Sequence, residues 1–340
     1  MRVSHKLLVL LGLLVILSGC VQPAEMQSEE SAYTPTSTLS VTQGPQEEST
    51  EIAAPAATAT LTPIPTPTLI PFPPDMGCGE VFCQQSWPGL LERPFTADYT
   101  LKIDPTYPYA GTKNGTMDPH HGVEFPNGYG TPVLAARNGT VVFAGSDDLT
   151  VIGPYTAFYG NVVILKHAGL FEGRDLYTLY GHLSEISVSE GEEVTVGQLV
   201  GKVGSSGAAD GPHLHFEVRL DENTYAASTN PMLWFAPVVD PMLGQTGTLA
   251  GLIVNRYGTP LDRFTLSLEL LDAGGNVIET YYPITYYPAG VNGFPPLGEN
   301  FVMPDLPPGD YRLAFIYNTL HEVLFTLQPG SLGFINLQLD

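Results

Sequence analysis

Gly211-Pro-His-Leu-His-Phe-Glu-Val-Arg219 is the stretch from which the rest of the chain can be read. Asp210-Gly211-Pro212 is a turn signal. After it, Leu214, Phe216 and Val218 alternate with His213, His215 and Glu217, which is the period of a β-strand. Side chains two apart on a strand share a face. Both imidazoles can therefore address one site, with Glu217 beside them. Glu217 has two readings: a hydrogen bond that orients an imidazole, or a structural ion pair.

Upstream, the same kind of segment recurs. Thr140–Gly145, Asn161–His167, Asp175–Tyr180 and Leu199–Val203 are apolar, rich in β-branched residues and separated by Gly and Asn turns. No helix-period segment of useful length lies between residues 94 and 236. Downstream of about Gly247 the pattern changes. Residues 252–261, 264–271, 311–316 and 334–339 read as strands of a second, smaller β-sandwich. The segment Pro304-Asp-Leu-Pro-Pro-Gly-Asp-Tyr-Arg-Leu313 is similar to a strand entry of carboxypeptidase-regulatory-like and transthyretin-like sandwiches. The expected fold class is all-β.

The N-terminus reads as an address. Arg2 and Lys6 precede an apolar run, Leu7–Leu17, that is too short for an ordinary transmembrane helix of about 20 residues and suits a signal-peptide core. Leu17-Ser-Gly-Cys20 follows, and it resembles the lipobox of bacterial lipoproteins. That resemblance implies cleavage before Cys20, acylation of its thiol and a membrane anchor. The alternative is a plain secretory signal with an incidental cysteine. Residues 21–75 are Thr, Pro, Ala, Ser and Glu with few large apolar side chains, the composition of a disordered tether. The expected organisation is signal 1–20, tether 21–75, a first domain 76–240 and a sandwich 246–340. Cys78 and Cys83 open the folded part. Outside the cytoplasm they are expected to form a small-loop disulfide, with two free thiols as the alternative.

The 340 residues carry 35 acidic and 13 basic side chains, a formal net charge of -22. Such a surface repels phosphate backbones, which excludes nucleic acid as a partner.

Five of the eight histidines fall in three short motifs. His120 and Glu124 are four apart in Asp118-Pro-His-His-Gly-Val-Glu-Phe125, where Gly122 permits a tight turn that could aim both inward. Two neutral imidazoles and one carboxylate with an open fourth position form a common catalytic zinc site. His182, in Leu179-Tyr-Gly-His-Leu-Ser184, and His213 are candidates for the proton acceptor and oxyanion donor such a site needs. His121 is the alternative ligand under a shifted register. His167, Tyr177 and Tyr180 read as structural, Arg137 and Arg219 as rim charges, and His321 as solvated.

Taken in order, five blocks resemble lysostaphin-like zinc endopeptidases. They are His120-His-Gly-Val-Glu124, Gly130-Thr-Pro-Val-Leu-Ala-Ala136, Gly139-Thr-Val-Val142, Tyr180-Gly-His-Leu-Ser184 and Gly211-Pro-His-Leu-His-Phe-Glu217. The resemblance spans roughly residues 94–236. It implies a duplicated-hybrid-motif fold, in which a β-sheet groove carries one Zn2+ per chain on its floor. It also implies hydrolysis of peptide cross-links in bacterial peptidoglycan, outside the cytoplasmic membrane. Carried over by position, His120, Glu124 and His215 are the ligands. His213 is the base and His182 stabilises the transition state. The family usually has Asp where this chain has Glu124. That departure keeps open a second reading: a wall-binding or hydrolase-regulating lipoprotein with a degenerate site.

Overall fold

The computed structural model describes residues 81–113, 115–240, 244–287 and 291–340. The lipobox with Cys20, the tether and Cys78 lie outside the described residues. Cys83 is disulfide-bonded. All described residues fall in one compact unit.

The first lobe is built from β2 (Val123–Phe125), β3 (Pro132–Leu134), β4 (Gly139–Ser146), β5 (Asn161–Phe171), β6 (Arg174–Ile186), β7 (Glu193–Val194), β8 (Leu199–Val203), β9 (Leu214–Leu220) and β10 (Ser228–Thr229). β1 (Phe82–Ser86) precedes them but belongs elsewhere. The sheet runs β10-β9-β6-β5-β4-β7, with β2 on β9 and β8 bridging β3 to β6. The long strands fall where the sequence placed them, because Val, Ile, Leu and Tyr fit a pleated, half-buried surface. Among the described residues, the helical content is two single turns, Tyr225–Ala227 and Pro231–Leu233. No helix there is long and apolar enough to cross a membrane.

β9 positions the site. Leu214, Phe216, Val218 and Leu220 enter the main core. The opposite face carries His215, Glu217 and Arg219, also buried. β2 and β6 flank β9, and antiparallel register sets Glu124 opposite His215 on one side and Gly181 opposite His215 on the other.

The remaining strands are β11 (Val239–Asp240), β12 (Gly244–Gln245), β13 (Gly247–Val254), β14 (Ser267–Leu271), β15 (Val277–Tyr281), β16 (Phe301–Leu306), β17 (Gly309–Tyr317), β18 (Thr319–Leu327) and β19 (Ser331–Gln338). Two four-stranded sheets, β1-β19-β13-β16 and β15-β14-β17-β18, enclose a second core of Leu249, Leu268, Phe301, Tyr311, Leu313 and Ile335. Two details differ from the sequence reading. The strand expected at 252–261 ends at Val254, where Asn255 Oδ1 accepts the Tyr257 and Thr259 amides and closes a turn. And β1, expected within the first domain, pairs antiparallel with β19 of the sandwich.

The two lobes share a core. Ala250, Val302, Leu332 and Phe334 of the sandwich join the cluster that holds Leu91, Phe216 and Trp234. Arg93 is buried and ion-paired to Asp305 at 2.7 Å, with its guanidinium 4.4 Å from the Phe235 ring centroid. The indole N–H of Trp87, just past β1, donates to Leu233 O at 3.0 Å.

Candidate metal centre

His120, Glu124 and His215, the ligand set that the resemblance implies, converge. His120 Nε2 is 3.0 Å from Glu124 Oε1 and 3.2 Å from His215 Nδ1, and His215 Nδ1 is 3.1 Å from Glu124 Oε1. Around a tetrahedral zinc with bonds of about 2.0–2.2 Å, neighbouring donors lie about 3.3–3.6 Å apart. The observed triangle is a few tenths of an ångström tighter, a small opening away from that spacing.

The outer hydrogen bonds show what the inner atoms carry. His120 Nδ1 donates to Tyr107 O at 3.0 Å, which leaves Nε2 as a bare lone pair in the neutral ring. His215 Nε2 donates to Glu217 Oε1 at 3.1 Å, which leaves Nδ1 bare. Three acceptors then face one another in a buried site, an arrangement that repels unless a cation sits among them. The donor set and its geometry therefore fit zinc. His215 shows the same demand in its acidity. Burial works against charge on the ring, but Glu124 and Glu217 outweigh it and raise the pKa to about 9. Glu124 is likewise opposed by burial, yet His215, His120 and His213 hold it well below the usual carboxylate range.

Gly122 earns its place differently from the expected turn. Its φ is not positive. A Cβ there would lie 2.7 Å from His215 Cε1 and Nε2 and from Phe216 O. Only glycine lets the His215 ring lie against this backbone. The alternative ligand, His121, is turned away: its Nδ1 donates to Tyr225 O at 3.0 Å and its ring stacks on Tyr225 at 3.7 Å.

His182 and His213 sit beside the triangle. Their ring centroids are 4.9 Å apart, and His182 is 5.6 Å from His215. His182 adopts φ +61°, a left-handed conformation rare for a non-glycine residue. Strand alternation would send His182 to the core with Tyr180. The twist at this residue turns it to the site. It is held there by His182 N donating to Tyr159 O and Nδ1 donating to Ser206 O, both at 2.8 Å. Burial first, then His215, lowers its pKa to about 4. His213 Nδ1 donates to Gly211 O at 2.9 Å, and Nε2 lies 3.0 Å from Glu124 Oε2 without the alignment of a hydrogen bond. Burial lowers its pKa, but Glu124 more than offsets this and the net direction is up. Both rings therefore have Nδ1 committed and Nε2 facing the site.

Behind the site lies a cluster that the sequence reading resolved only in part. Glu217 makes both of its expected contacts: Oε1 accepts His215 Nε2, and Oε2 accepts Arg219 Nε at 2.8 Å. Arg219, read as a rim charge, is fully buried. The Tyr159 hydroxyl donates to Glu217, and Arg219 reaches Tyr159 OH and Ile152 O, each at 3.2 Å. Nothing in the sequence signalled Tyr159. For Arg219 a signal existed, since it lies on the same strand face as His215 and Glu217. Burial opposes ionisation of Glu217, but Arg219 and His215 bring its pKa to about 2.

The centre opens into a cavity of about 490 Å³ walled by Tyr107, Asp118, Tyr155, Phe158 and Tyr225. His167 is structural, as expected. Its Nδ1 donates to Asn138 O at 2.8 Å, Nε2 is 2.9 Å from Thr178 Oγ1, and burial lowers its pKa to about 4. His321 is half-buried, stacked on Phe315 at 5.2 Å.

A two-histidine, one-carboxylate centre on a sheet face, flanked by two further imidazoles and open to a groove, defines the class as a metal-dependent hydrolase site. Residues 118–227 match the profile of peptidase family M23. The chain is 39% identical over 102 residues to DD-carboxypeptidase/endopeptidase Mpg of Neisseria meningitidis, covering 30% of this chain and 20% of that protein. It is 37% identical over 116 residues to peptidoglycan DD-endopeptidase ShyA of Vibrio cholerae, covering 34% and 23%. Lysostaphin of Staphylococcus simulans is 33% identical over 156 residues, covering 45% and 29%. The chain thus spans between a fifth and three tenths of the length of these relatives. It carries a peptidase family M23 domain, homologous to lysostaphin and to peptidoglycan DD-endopeptidases.

Proposed function

We propose that this protein is a zinc-dependent endopeptidase that hydrolyses peptide cross-links of bacterial peptidoglycan from a lipid anchor outside the cytoplasmic membrane. The observation that carries the reading is the convergence of His120 Nε2, Glu124 Oε1 and His215 Nδ1 at 3.0–3.2 Å, with two more histidines adjoining. Zinc held by these three groups would polarise the scissile carbonyl and lower the pKa of a water to about 7. His213, with Nδ1 committed to Gly211 O, would accept a proton on Nε2. His182 would support the carbonyl oxygen as it becomes negative; with Nδ1–H committed to Ser206 O and burial keeping the resting ring neutral, Nε2 would gain its proton only as that negative charge develops beside it. Glu217 holds His215 in the Nδ1-facing tautomer. The groove aromatics Tyr107, Tyr155 and Tyr225 exclude water from a bound peptide and supply flat contact area. Glu124 is present with all four imidazoles, each of which has one ring nitrogen committed to a protein acceptor, and this favours catalysis over the degenerate regulator.

The anchor reading rests on the lipobox ending at Cys20 and the tether after it. Mass spectrometry of the mature N-terminus should find a diacylglyceryl group on Cys20, and Cys20→Ser should abolish it. The catalytic reading is tested on the full-length chain in mild detergent. About one zinc per chain, lost in His215→Ala, with chelator-sensitive release of cross-link peptides from purified peptidoglycan is the expected result. Zinc without release would favour the regulator. No zinc would mean that Glu124 has broken the site and would overturn the reading as a zinc enzyme.

A further inference from the structure

We infer that the C-terminal sandwich is part of the active-site apparatus, and that Asn292 is a positioning residue that fixes two walls of the groove. The inference rests on the peptidase reading above. Asn292 lies in the segment between β15 and β16 and makes a parallel bridge to Thr229. Its side-chain nitrogen donates to Ala226 O at 2.8 Å and to Ser228 O at 2.9 Å. Because both partners are carbonyl oxygens, only the amide nitrogen can face them. Its backbone engages Tyr109. The Tyr109 hydroxyl donates to Asn292 O at 2.9 Å and accepts from Asn292 N at 3.1 Å.

Each contact leads to the centre by a short path. Ala226 belongs to the single-turn helix Tyr225–Ala227, whose Tyr225 walls the groove and stacks on His121. Ser228 Oγ lies 2.7 Å from His121 Nδ1. On the other side Tyr109 adjoins Ala110, whose amide donates to His120 O at 2.7 Å, while His120 N donates to Gly111 O at 3.0 Å. Asn292 thus reinforces a tie between the backbone that carries His120 and the turn that carries Tyr225, which the Tyr109 hydroxyl also spans directly, 3.2 Å from Ser228 O. Tyr109 is buried, whereas Asn292 itself is exposed. A surface position makes no contribution to either core, so its substitution leaves the fold standing and reports on the brace alone.

The test compares the full-length wild type with Asn292→Ala, which removes two donors, and Asn292→Asp, which sets a carboxylate against two carbonyl oxygens. Hydrogen exchange is read at the amides of Ala110, His120 and Ala227, and kcat and KM are read on a soluble cross-linked muropeptide dimer. Exchange at these three amides should rise about tenfold, more in Asp than in Ala, with β5 and β6 unchanged. kcat/KM should fall about tenfold to a hundredfold, with KM raised and zinc content kept, because a displacement of about 1 Å in a site costs that much. Unchanged exchange overturns the inference whatever the kinetics. Raised exchange with the kinetics of an active wild type unchanged also overturns it, since Asn292 would then hold only the lobes. A wild type that releases nothing would sink the peptidase reading, and the exchange arm would still decide whether Asn292 orders the two walls.

Discussion

Gly122→Ala is a one-methyl perturbation whose effect on the centre follows from the coordinates. The added Cβ would stand 2.7 Å from His215 Cε1 and Nε2 and equally close to Phe216 O. Carbon contacts are comfortable at about 3.5–4.0 Å, so something must yield by about 0.8 Å or more. Phe216 O belongs to the backbone of β9, opposite Val123 of β2. It is the stiffer of the two neighbours, so the imidazole moves. Metal–ligand distances tolerate only about 0.2 Å. The shift also lengthens the 3.1 Å bond from His215 to Glu217 that sets the tautomer. Losing such a supporting bond costs about 10- to 100-fold in metal affinity, or about 1.4–2.7 kcal/mol. Overpacking costs the apo fold about 1–3 kcal/mol besides. The assay is zinc competition against a chromophoric chelator, with thermal unfolding in excess chelator to measure the fold separately. A variant that folds and binds zinc within twofold of wild type would refute the argument that the ring's placement depends on this glycine.

Four other outcomes are expected. Glu217→Gln keeps the shape but removes the charge that offsets Arg219 and leaves one acceptor oxygen for three donors, His215 Nε2–H, Arg219 Nε–H and the Tyr159 hydroxyl; zinc affinity should fall about tenfold or more by the same competition assay. Glu124→Asp withdraws the carboxylate by about 1.5 Å from donors now 3.0 and 3.1 Å away, and should weaken zinc about tenfold on this backbone; tighter binding would show that β2 readily shifts. A fragment of residues 76–240 should fail to give a cooperative unfolding transition by circular dichroism, because β1 loses β19 and Trp234 loses Phe294, 4.8 Å away. Glu299 is buried between Tyr286 and the Phe294 amide, and desolvation raises its pKa from an ordinary 4.5 to about 7. The folded state holds its proton longer than the unfolded chain, so this contribution is complete below pH 4.5 and is lost as pH rises to 7. The stability difference between wild type and Glu299→Gln should move against wild type by about 3 kcal/mol over that window. A flat difference in denaturant titrations would show that Glu299 ionises normally.

The parts of this architecture that were legible share one property: they are written in local alternation or in short motifs. β9 is the clearest case, since apolar and polar residues alternate along it and its histidines fall on the face they occupy. His182 shows the limit. Its parity on β6 matches Tyr180, and only a left-handed φ brings it to the site, so the motif identified it where periodicity would have misplaced it. The long-range pairings had no local signature at all. β1 meets β19 across about three quarters of the chain, and β13 runs parallel to β19. Loop-closure entropy, not pattern, opposes such contacts, and burial on both faces of the sheet offsets it. Arg219 misled for a different reason. A lone arginine is almost never fully buried unless paired, and its partners, Glu217 two residues away and Tyr159 on another segment, make a neutral unit only in three dimensions.

That neutral unit explains how the centre holds charge inside a protein of net charge -22. Two carboxylates, Glu124 and Glu217, stand on either side of His215. Both raise the pKa of His215 and favour a second proton on the ring, and an uncompensated Glu217 would hold that proton still more firmly against a metal at Nδ1. Arg219 lies 2.8 Å from Glu217 and takes up that charge, which leaves Glu217 able to accept one N–H from His215 without demanding another. Glu124 then remains the one carboxylate with no fixed cation near it; its neighbours are histidines that can be neutral. A divalent ion there leaves a single excess positive charge facing the groove, suited to an oxygen that becomes negative as a peptide carbonyl is attacked. On this argument Arg219, some distance behind the ligands, acts on the metal through His215. Arg219→Met should therefore weaken zinc binding more steeply as pH falls than Glu217→Gln does, because it leaves the second carboxylate in place to hold the competing proton.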